Sequence, residues 1–330
     1  MEKERTKAGA VGRFMENNFK HFNARETLDA ARAFKKHGDD GGKMFLAMAG
    51  AMSTGELGIS LARMIRDGKI HAISSTAANL EEDLFNLLAH DDYKMVSGYR
   101  DLTPGEELAL RDKGFNRVTD TCIPEDAMRK IEKIIIMELC VQASKKGERY
   151  FPWEYIYQML DKGEIQKDFH APVENSWVYA AWEKGIPIYT PGWEDSTLGN
   201  IFTARVMEGK IASHTAVRSG TEQMEHLVGW YLENIKETTV GFFQIGGGIA
   251  GDFSICAVPL IIQDLKKKDC PLWAYFAQIS DSTTSYGSYS GAVPNEKITW
   301  FKIGPDTPRF MIQSDASLVV PLIFSYVLGD

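Results

Sequence analysis

The chain is poor in the features that mark several common protein classes. Its 330 residues contain four cysteines, Cys122, Cys140, Cys256 and Cys270, and no Cys-x-x-Cys pair, which excludes zinc ribbons and thioredoxin-type redox motifs. Four scattered thiols in a chain of this length are typical of a reduced, cytoplasmic protein. The seven histidines form neither His-x-x-x-His nor His-Glu-x-x-His, so no metal site is predicted. A Gly-x-Ser-x-Gly nucleophile elbow is also missing.

Clustered positive charge and long apolar runs are lacking as well. Lys and Arg number 37 against 45 Asp and Glu, a net charge of −8, and generic nucleic-acid binding needs clustered cations. No run of 18 apolar residues is present, so no transmembrane span is predicted. The polar start MEKERTKAGAVGRF has no apolar core of a secretory signal. We therefore expect neither nucleic acid nor membrane as a partner, while the acidic balance suits cationic small molecules.

Apolar runs alternate with helical patterns along the chain. The runs lie at 43–51, 71–77, 186–193, 240–245, 272–279 and 309–314. Because they are continuously apolar, they are typical of a parallel sheet that is buried on both faces. We predict an α/β fold with a Rossmann-like, mostly parallel sheet and helices on both faces. Residues 1–20 are predicted to be an N-terminal arm and 21–330 a single domain, in which 91–125 is rich in loops and 126–147 is one long helix.

A glycine-rich loop follows the apolar run VGFFQI. Gly246, Gly248 and Gly251 match Gly-x-Gly-x-x-Gly between a predicted strand and a predicted helix. Without side chains, the backbone can approach a pyrophosphate closely at the helix N-terminus. The alternative is a glycine-rich turn that binds no ligand.

Small residues stand with a hydroxyl or an acid at five strand-to-helix junctions. Ligands of open α/β sheets bind at the carboxyl ends of the strands, so five such junctions together predict a nucleotide site. Each junction alone is also consistent with an ordinary helix N-cap, with Ser53 or Thr54 as the cap of one predicted helix and Asn79 as the cap of the next. The five stretches are AGAMSTG at 49–55, STAANLEED at 75–83, GWEDSTLGN at 192–200, GGGIAGD at 246–252 and SDASL at 314–318.

Trp300 and Lys302 stand two residues apart in the stretch at 285–304. We predict a short strand here, which would place both side chains on the same side. Burial beside an indole destabilises an ammonium group, and a neutral lysine is the nucleophile of imine chemistry. The alternative is a surface lysine whose alkyl stem packs along the indole.

These stretches resemble the deoxyhypusine synthase family, and within it the bacterial deoxyhypusine synthase-like group. The resemblance runs from about Phe14 to the C-terminus and is carried by AGAMSTGELGISLARMIRDGKIHAISSTAANLEEDLFNLLAH, NRVTDTCIPE, SGAVPNEKITWFKI and DASLVVPL. It implies NAD as cofactor and transfer of an aminobutyl group from spermidine, or a related polyamine, through a lysine imine. The implied acceptor is a small diamine, which gives a homospermidine-type product, or a protein lysine, which gives deoxyhypusine. The resemblance also implies a homotetramer with sites at dimer interfaces.

Roles for individual residues follow from the same resemblance. The imine-forming lysine of the family motif S-W-G-K-I falls on Lys302 in T-W-F-K-I, and the tryptophan of the motif falls on Trp300. The acidic residue that follows the T-A-G-G stretch of the family falls on Glu82, or on Glu81, and is expected near the nicotinamide and the amine. The dinucleotide positions fall on Ser53, Thr54, Thr76, Ala77, Asp195, Gly247, Gly248, Ser290, Asp315 and Ala316. The positions expected at the polyamine are Glu81, Asn200, Asp252, Tyr286 and Tyr289.

The polyamine half of the implied site departs from the family pattern. Asn200 replaces an aspartate that holds an amine, and Tyr286 and Tyr289 replace two more aspartates. Gly251 and Asp252 stand in place of a lysine and a histidine. Aromatic faces together with Asp252 would still hold an ammonium group, of the same or of another amine. Two other functions stay open: a sirtuin-like, NAD-consuming deacylase, which the missing Cys-x-x-Cys pairs disfavour, and a non-catalytic NAD-binding oligomer.

Overall fold

The computed structural model describes residues 9–284 and 292–330, and their nine strands form two sheets. In chain order the strands are β1 (Lys43–Met48), β2 (Ala72–Ser75), β3 (Lys94–Met95), β4 (Phe115–Val118), β5 (Thr121–Pro124), β6 (Ile188–Tyr189), β7 (Val240–Ile245), β8 (Phe276–Ser280) and β9 (Arg309–Gln313). The central sheet has the order β6-β2-β1-β7-β8-β9, and every neighbouring pair in it is parallel. The predicted α/β fold with a parallel sheet is therefore confirmed.

The strand order places a crevice between β1 and β7. The chain first adds strands on one side of β1 and then returns to add β7, β8 and β9 on its other side. Open α/β sheets bind ligands at such a switch point, outside the carboxyl ends of the strands. Since all six strands are parallel, the five junctions that the sequence singled out lie at this one edge of the sheet.

Helices cover both faces of the central sheet. They span Ala10–Asn18, Phe22–Asp39, Gly58–Arg66, Ala77–Ala89, Pro104–Asp112, Glu125–Ile131, Val141–Lys146, Pro152–Asp161, Trp177–Lys184, Thr197–Met207, Gly220–Asn234, Ile249–Ile255, Ala257–Pro259, Glu296–Thr299 and Ala316–Leu328, with π-helical stretches at Glu132–Cys140 and Leu260–Asp264. The larger apolar core contains Phe34, Leu84 and Phe324 on one face, and a second core around Trp273 and Tyr231 lies on the other. None of these helices, within the described residues, is long and apolar enough to cross a membrane.

The predicted N-terminal arm contains a packed helix. In Ala10–Asn18, Met15 is fully buried, and the Gly12 N–H donates to the Asp330 carbonyl oxygen at 3.0 Å. Glu16 on the same helix accepts hydrogen bonds from Arg32 and from the Tyr326 hydroxyl. Residues 10–18 therefore belong to the folded body, which the polar start of the sequence did not indicate.

The segment at 91–125 is more regular than predicted. β3 and β4 pair antiparallel with β5 to form a small sheet, and the helix Pro104–Asp112 packs beside β4. Thr103 and Glu106 begin that helix with reciprocal side-chain to backbone hydrogen bonds. The strands here are short, and Lys94 and Met95 are exposed, so the segment lacks the continuous apolar runs that mark the central strands.

Candidate functional site

The loop after β1 is fixed at Ser53 by groups from two helices. Its N–H donates to Asn79 Oδ1 at 2.9 Å, and its carbonyl oxygen accepts from Asn86 Nδ2 at 2.6 Å. The Ser53 hydroxyl accepts from the Trp177 indole N–H at 2.9 Å. Ser53 itself is 1% exposed. These bonds hold the loop rigidly at the carboxyl end of β1, where the predicted dinucleotide positions Ser53 and Thr54 lie.

Two predicted helix caps near this loop are wrong. The helix Gly58–Arg66 begins after a turn, without a cap from Ser53 or Thr54. The helix Ala77–Ala89 begins at Thr76, whose hydroxyl accepts from the Asn79 backbone N–H, so Asn79 is not the cap. Asn79 instead uses its side-chain amide to join Thr76 to the loop after β1. The helix starts one turn earlier than the polar pattern suggested.

Glu82 is a buried acid at the carboxyl ends of β1 and β2. Its Oε2 accepts a hydrogen bond from the Thr54 N–H at 3.4 Å, and the residue is 9% exposed. Burial and, to a smaller extent, the negative charge of Glu81 raise the pKa of Glu82 to about 7, and the hydrogen bonding from Thr54 opposes the rise. A carboxyl group that titrates near neutral pH in a crevice is suited to proton transfer or to holding an ammonium group.

Glu81 differs from its neighbour in what it contacts. Its two carboxylate oxygens accept from the backbone N–H groups of Thr197 and Leu198, each at 2.8 Å. Burial raises the pKa of Glu81, and these two bonds oppose the rise. Glu81 therefore caps the helix Thr197–Met207, and this structural use of both oxygens disagrees with its predicted contact to a substrate.

The glycine-rich loop has the backbone geometry that the motif requires. Gly246 has φ +75°, and a Cβ placed on it would lie 3.3 Å from the Ala49 Cβ, so the loops after β7 and β1 touch at the switch point. Gly248 has φ +90° and ψ −172°, a conformation open essentially to glycine alone. A Cβ on Gly251 would lie 2.5 Å from Gln244 Nε2 on β7, so a larger residue here would have to displace the buried Gln244 side chain.

The edge around this loop also offers polar groups without partners. The hydroxyl groups of Ser75, at the end of β2, and Thr190, after β6, are fully buried and have no hydrogen-bond partner among the described residues. Together with the glycine loop at the switch point, they suit a ligand that is rich in hydrogen-bonding groups. The arrangement therefore fits a dinucleotide such as NAD.

The other predicted dinucleotide residues lie toward the two ends of this edge. Asp315 caps the helix Ala316–Leu328 after β9, where its carboxylate accepts from the Ser317 N–H at 2.8 Å. Ala316 is the first residue of that helix. Asp195 is exposed in the loop after β6. At roughly 4.8 Å per strand, β6 and β9 lie about 24 Å apart across the sheet.

Asn200 and three residues of the loop after β8 complete the predicted set. Asn200 is exposed, and its side-chain amide donates to the carbonyl oxygens of Ser196, at 2.7 Å, and Glu194, at 3.3 Å. The Asn200 amide therefore makes hydrogen bonds within its own loop. Tyr286, Tyr289 and Ser290 lie outside the described residues. Over the described ranges, no group of three or more His, Cys, Asp or Glu side chains is arranged to hold a metal ion.

Trp300 and Lys302 do not lie on a strand. The helical turn Glu296–Thr299 ends at Trp300, and Phe301 has φ +57°, which breaks any extended run. In the single chain, Trp300 is 64% exposed. The predicted shared strand face is wrong because the left-handed backbone at Phe301 redirects the chain between the two side chains.

Lys302 is half-buried among groups from two elements. Its backbone carbonyl oxygen accepts from the Trp273 N–H at 3.1 Å. Its side chain lies beside Cys256, where burial raises the pKa of the thiol, the positive charge of Lys302 opposes that rise and the negative charge of Asp252 adds to it. Lys297 adds a second positive charge to this cluster. The sequence did not indicate Lys297. Its spacing of five residues from Lys302 predicts proximity only in a helical turn, whereas a strand was predicted here.

The predicted catalytic residues thus belong to two clusters in one chain. Glu82 contacts Thr54 on the face of the sheet that carries the helices Gly58–Arg66 and Ala77–Ala89. Lys302 lies with Asp252 on the face that carries the second core. The glycine loop lies between the two faces at the carboxyl edge.

A comparison with protein families matches this chain to the family described as deoxyhypusine synthase over residues 14–327. A "Deoxyhypusine synthase-like protein" of Caulobacter vibrioides is 27% identical over 314 residues, which cover 92% of this chain and 79% of that protein. A protein of Archaeoglobus fulgidus named "Probable deoxyhypusine synthase 1" is 24% identical, with 93% of this chain and 90% of that protein covered.

Among solved structures, a similar fold occurs in a protein from Entamoeba histolytica that is assigned as a deoxyhypusine synthase. The superposition has a TM-score of 0.54 at 15% sequence identity and covers 93% of this chain and 88% of that chain. At this identity the likeness concerns the fold, which agrees with the six-stranded parallel sheet and its helices.

Proposed function

Because the chain belongs to the deoxyhypusine synthase family, we propose that it is an NAD-dependent aminoalkyl transferase that acts on polyamines. The observation that carries the proposal is the position of Lys302. It occupies the place of the imine-forming lysine in the family motif and is half-buried. Its charge and that of Asp252, on the helix that follows the glycine loop, both act on the Cys256 thiol. This shared neighbour supports an amine nucleophile in the same cluster as a carboxylate that would bind an ammonium group.

NAD is the proposed cofactor, and when bound it would take a hydride from the donor amine and return it at the end of the reaction. Gly247 and Gly248 would let the backbone approach the pyrophosphate. The loop at Ser53 and Thr54 and the start of the helix at Thr76 and Ala77 would hold the rest of the dinucleotide. The switch point between β1 and β7 and the partnerless Ser75 hydroxyl support this assignment.

The proposed donor is spermidine or a related polyamine. Glu82, with a pKa near neutrality, would hold a proton or an amine close to the nicotinamide. Lys302 would bond to the imine carbon of the oxidised donor and release a diamine, which leaves the aminobutyl group as an imine on the lysine. Asp252 is exposed and would hold a terminal ammonium group.

An amine is the proposed acceptor, either a small diamine or a protein lysine. Asn200 in place of the family aspartate favours a small or altered amine, because the amide carries no charge to attract an ammonium group. Product analysis separates the two. Putrescine as acceptor would give a homospermidine-type product, whereas a protein acceptor would gain the mass of an aminobutyl group.

The working unit is proposed to be a homotetramer in which facing subunits complete each site. Exposed apolar residues adjoin the predicted site: Ile249 follows Gly248, Trp300 precedes Lys302 by two residues, and Leu318 is 66% exposed just after Asp315. Such residues support a surface that a second copy covers. The predicted cofactor residues at opposite ends of the sheet edge support the same arrangement.

The testing experiment incubates the protein with NAD⁺ and spermidine and analyses the released small molecules by mass spectrometry. We expect 1,3-diaminopropane. Release of nicotinamide with an acylated peptide, and of no diamine, would support a sirtuin-like deacylase instead. Tight NAD binding without either product would support the non-catalytic oligomer, and both of these outcomes contradict the proposed function.

A further inference from the structure

Lys297 is a second lysine beside Lys302. The backbone brings the two together, because the Lys302 N–H donates to the Lys297 carbonyl oxygen at 3.1 Å. Lys297 Nζ lies 4.7 Å from the centre of the Phe276 ring, and the side chain is half-buried. An aromatic face attracts a cation, so Phe276 holds the end of this side chain under the turn and away from bulk water.

Charged groups from two elements surround Lys297. Asp252, from the helix after the glycine loop, and Glu296, from the same turn, are negative, whereas Lys302 is positive. Burial and, to a smaller extent, the positive charge of Lys302 lower the pKa of Lys297 to about 8, and the two carboxylates oppose the fall. Lys297 therefore exchanges its proton close to neutral pH, as an efficient general acid and base must do.

Aminoalkyl transfer requires such an exchange. When the neutral Lys302 amine bonds to the imine carbon, its nitrogen becomes positively charged and must lose a proton. When the bond from that carbon to the departing amine breaks, the departing nitrogen must gain one. One carbon–nitrogen bond forms, one breaks and one proton moves, so the step is balanced without any oxidant or reductant.

Three other groups are poorly suited to carry this proton. Burial raises the pKa of the Cys256 thiol, which makes it a weak acid and keeps it protonated. The Trp300 indole N–H does not titrate. Glu82 contacts Thr54 in the other cluster.

We propose that Lys297 carries the proton of the transfer step, accepting it from the Lys302 nitrogen and donating it to the departing amine. This role rests on the proposed aminoalkyl transfer through Lys302 and adds a residue to it. Lys297 would act again in reverse order when the acceptor amine takes the aminobutyl group from Lys302.

The test compares Lys297→Met, Lys297→Arg and Lys297→His with a matched control, Lys268→Met, at an exposed lysine. Two readouts are followed as a function of pH: NADH formation from NAD⁺ and spermidine, and release of 1,3-diaminopropane. We expect the Met and Arg variants to form NADH but to release the diamine on the order of 100-fold more slowly, since general acid–base groups contribute about 10²–10⁴-fold. Arg keeps the charge but cannot give up its proton.

The His variant gives the sharper reading. An imidazole titrates near pH 6.5. We therefore expect Lys297→His to restore part of the rate of diamine release. The pH at which this rate rises should be lower than in the parent. In the resting parent protein, competitive labelling with acetic anhydride, mapped by mass spectrometry, should show Lys297 half-reactive near pH 8. Thermal unfolding of each variant separates loss of the fold from loss of the proton carrier.

The outcomes distinguish the role of Lys297 from the function itself. A parent protein that releases no diamine overturns the proposed function and the role of Lys297 with it. A parent that releases diamine while Lys297→Met or Lys297→Arg releases it equally fast overturns the role alone. Labelling that shows Lys297 fully protonated above pH 10 also overturns the role, whatever the activity.

Discussion

The Thr54 backbone N–H donates to the Glu82 carboxylate at 3.4 Å, which ties the loop after β1 to the helix after β2 across the sheet edge. Because Glu82 is almost completely buried, this bond does not fully compensate the carboxylate for its lost hydration, and the pKa of Glu82 rises to about 7. The protonation of Glu82 should therefore contribute measurably to the pH dependence of the stability of the folded protein.

Glu82→Gln should change how stability depends on pH. The pKa of Glu82 is about 7 in the folded protein and 4.5 as the ordinary value. The protonated acid therefore favours folding below pH 4.5, and this contribution is lost as the pH rises through 7. The difference in free energy of unfolding, variant minus parent, should therefore rise by on the order of 3 kcal/mol between pH 4.5 and 8. Urea unfolding at a series of pH values measures this difference.

Glu164→Gln is the control for that measurement, because Glu164 is exposed. Its difference from the parent should stay flat across the same pH range. A flat difference for Glu82→Gln as well would show that Glu82 is ionised in the folded protein at pH 5.

Lys302→Arg should lose aminoalkyl transfer by orders of magnitude. Arginine keeps the charge and the approximate length but does not deprotonate, so it cannot form the imine. NADH formation should persist, because that step needs no lysine nucleophile. Borohydride added during turnover should trap a mass adduct on Lys302 of the parent and none on the variant. Normal transfer by the variant, or an adduct on another residue, is incompatible with the lysine mechanism.

Gly248→Val should abolish NAD binding. Its side chain would fill the space through which the backbone approaches the pyrophosphate, and the φ of +90° and ψ of −172° cost a non-glycine residue about 1–3 kcal/mol. Calorimetric titration with NAD⁺ measures the affinity, and thermal unfolding measures the strain. Gly229→Ala, at a helical position with open space around it, should leave the affinity unchanged. Undiminished NAD affinity in Gly248→Val would refute the assignment of the loop.

Phe301→Gly should leave the free energy of unfolding unchanged or raise it by up to about 1 kcal/mol. Phe301 has φ +57°, at the position where the family motif carries glycine, and it is 49% exposed. Relief of a left-handed conformation, worth about 1–2 kcal/mol, outweighs the loss of a half-exposed ring. Phe301→Val should lower stability instead, because a branched Cβ fits this conformation worst. Equal stability of the two variants in urea would contradict the strain at this residue.

Light scattering at micromolar concentration should give the mass of a homotetramer. Trp300→Glu, at a residue that is 64% exposed, should lower that mass if this surface is covered by a second copy. An active monomer would contradict the assembly.

The sequence predicted the central sheet well, because its signal is local. β7 was predicted residue for residue at Val240–Ile245, where six consecutive residues are buried. β1 and β9 were also predicted from apolar runs, which extended three residues and one residue past the ends of the observed strands. The small sheet was missed because strands such as Lys94–Met95 lie on the surface and bury no continuous run.

The site was less predictable, because its key features are not local. The positive φ of Phe301 depends on the turn in which it lies and not on its residue type. Lys297 stands in the polar stretch PNEK and resembles any surface lysine; only Phe276 and Asp252, from distant parts of the chain, reveal its surroundings. Glu81 and Glu82 could not be told apart, since both follow the same strand.

The adjacency of Glu81 and Glu82 limits how this protein can evolve. One carboxylate caps Thr197–Met207 and the other contacts Thr54, so two neighbouring residues serve two separate elements. Each residue turns a helix by about 100°, so an inserted or deleted residue between Thr76 and Glu81 would swing both carboxylates away from their partners at once. Lineages descended from this chain should therefore inherit the length of this segment without gaps.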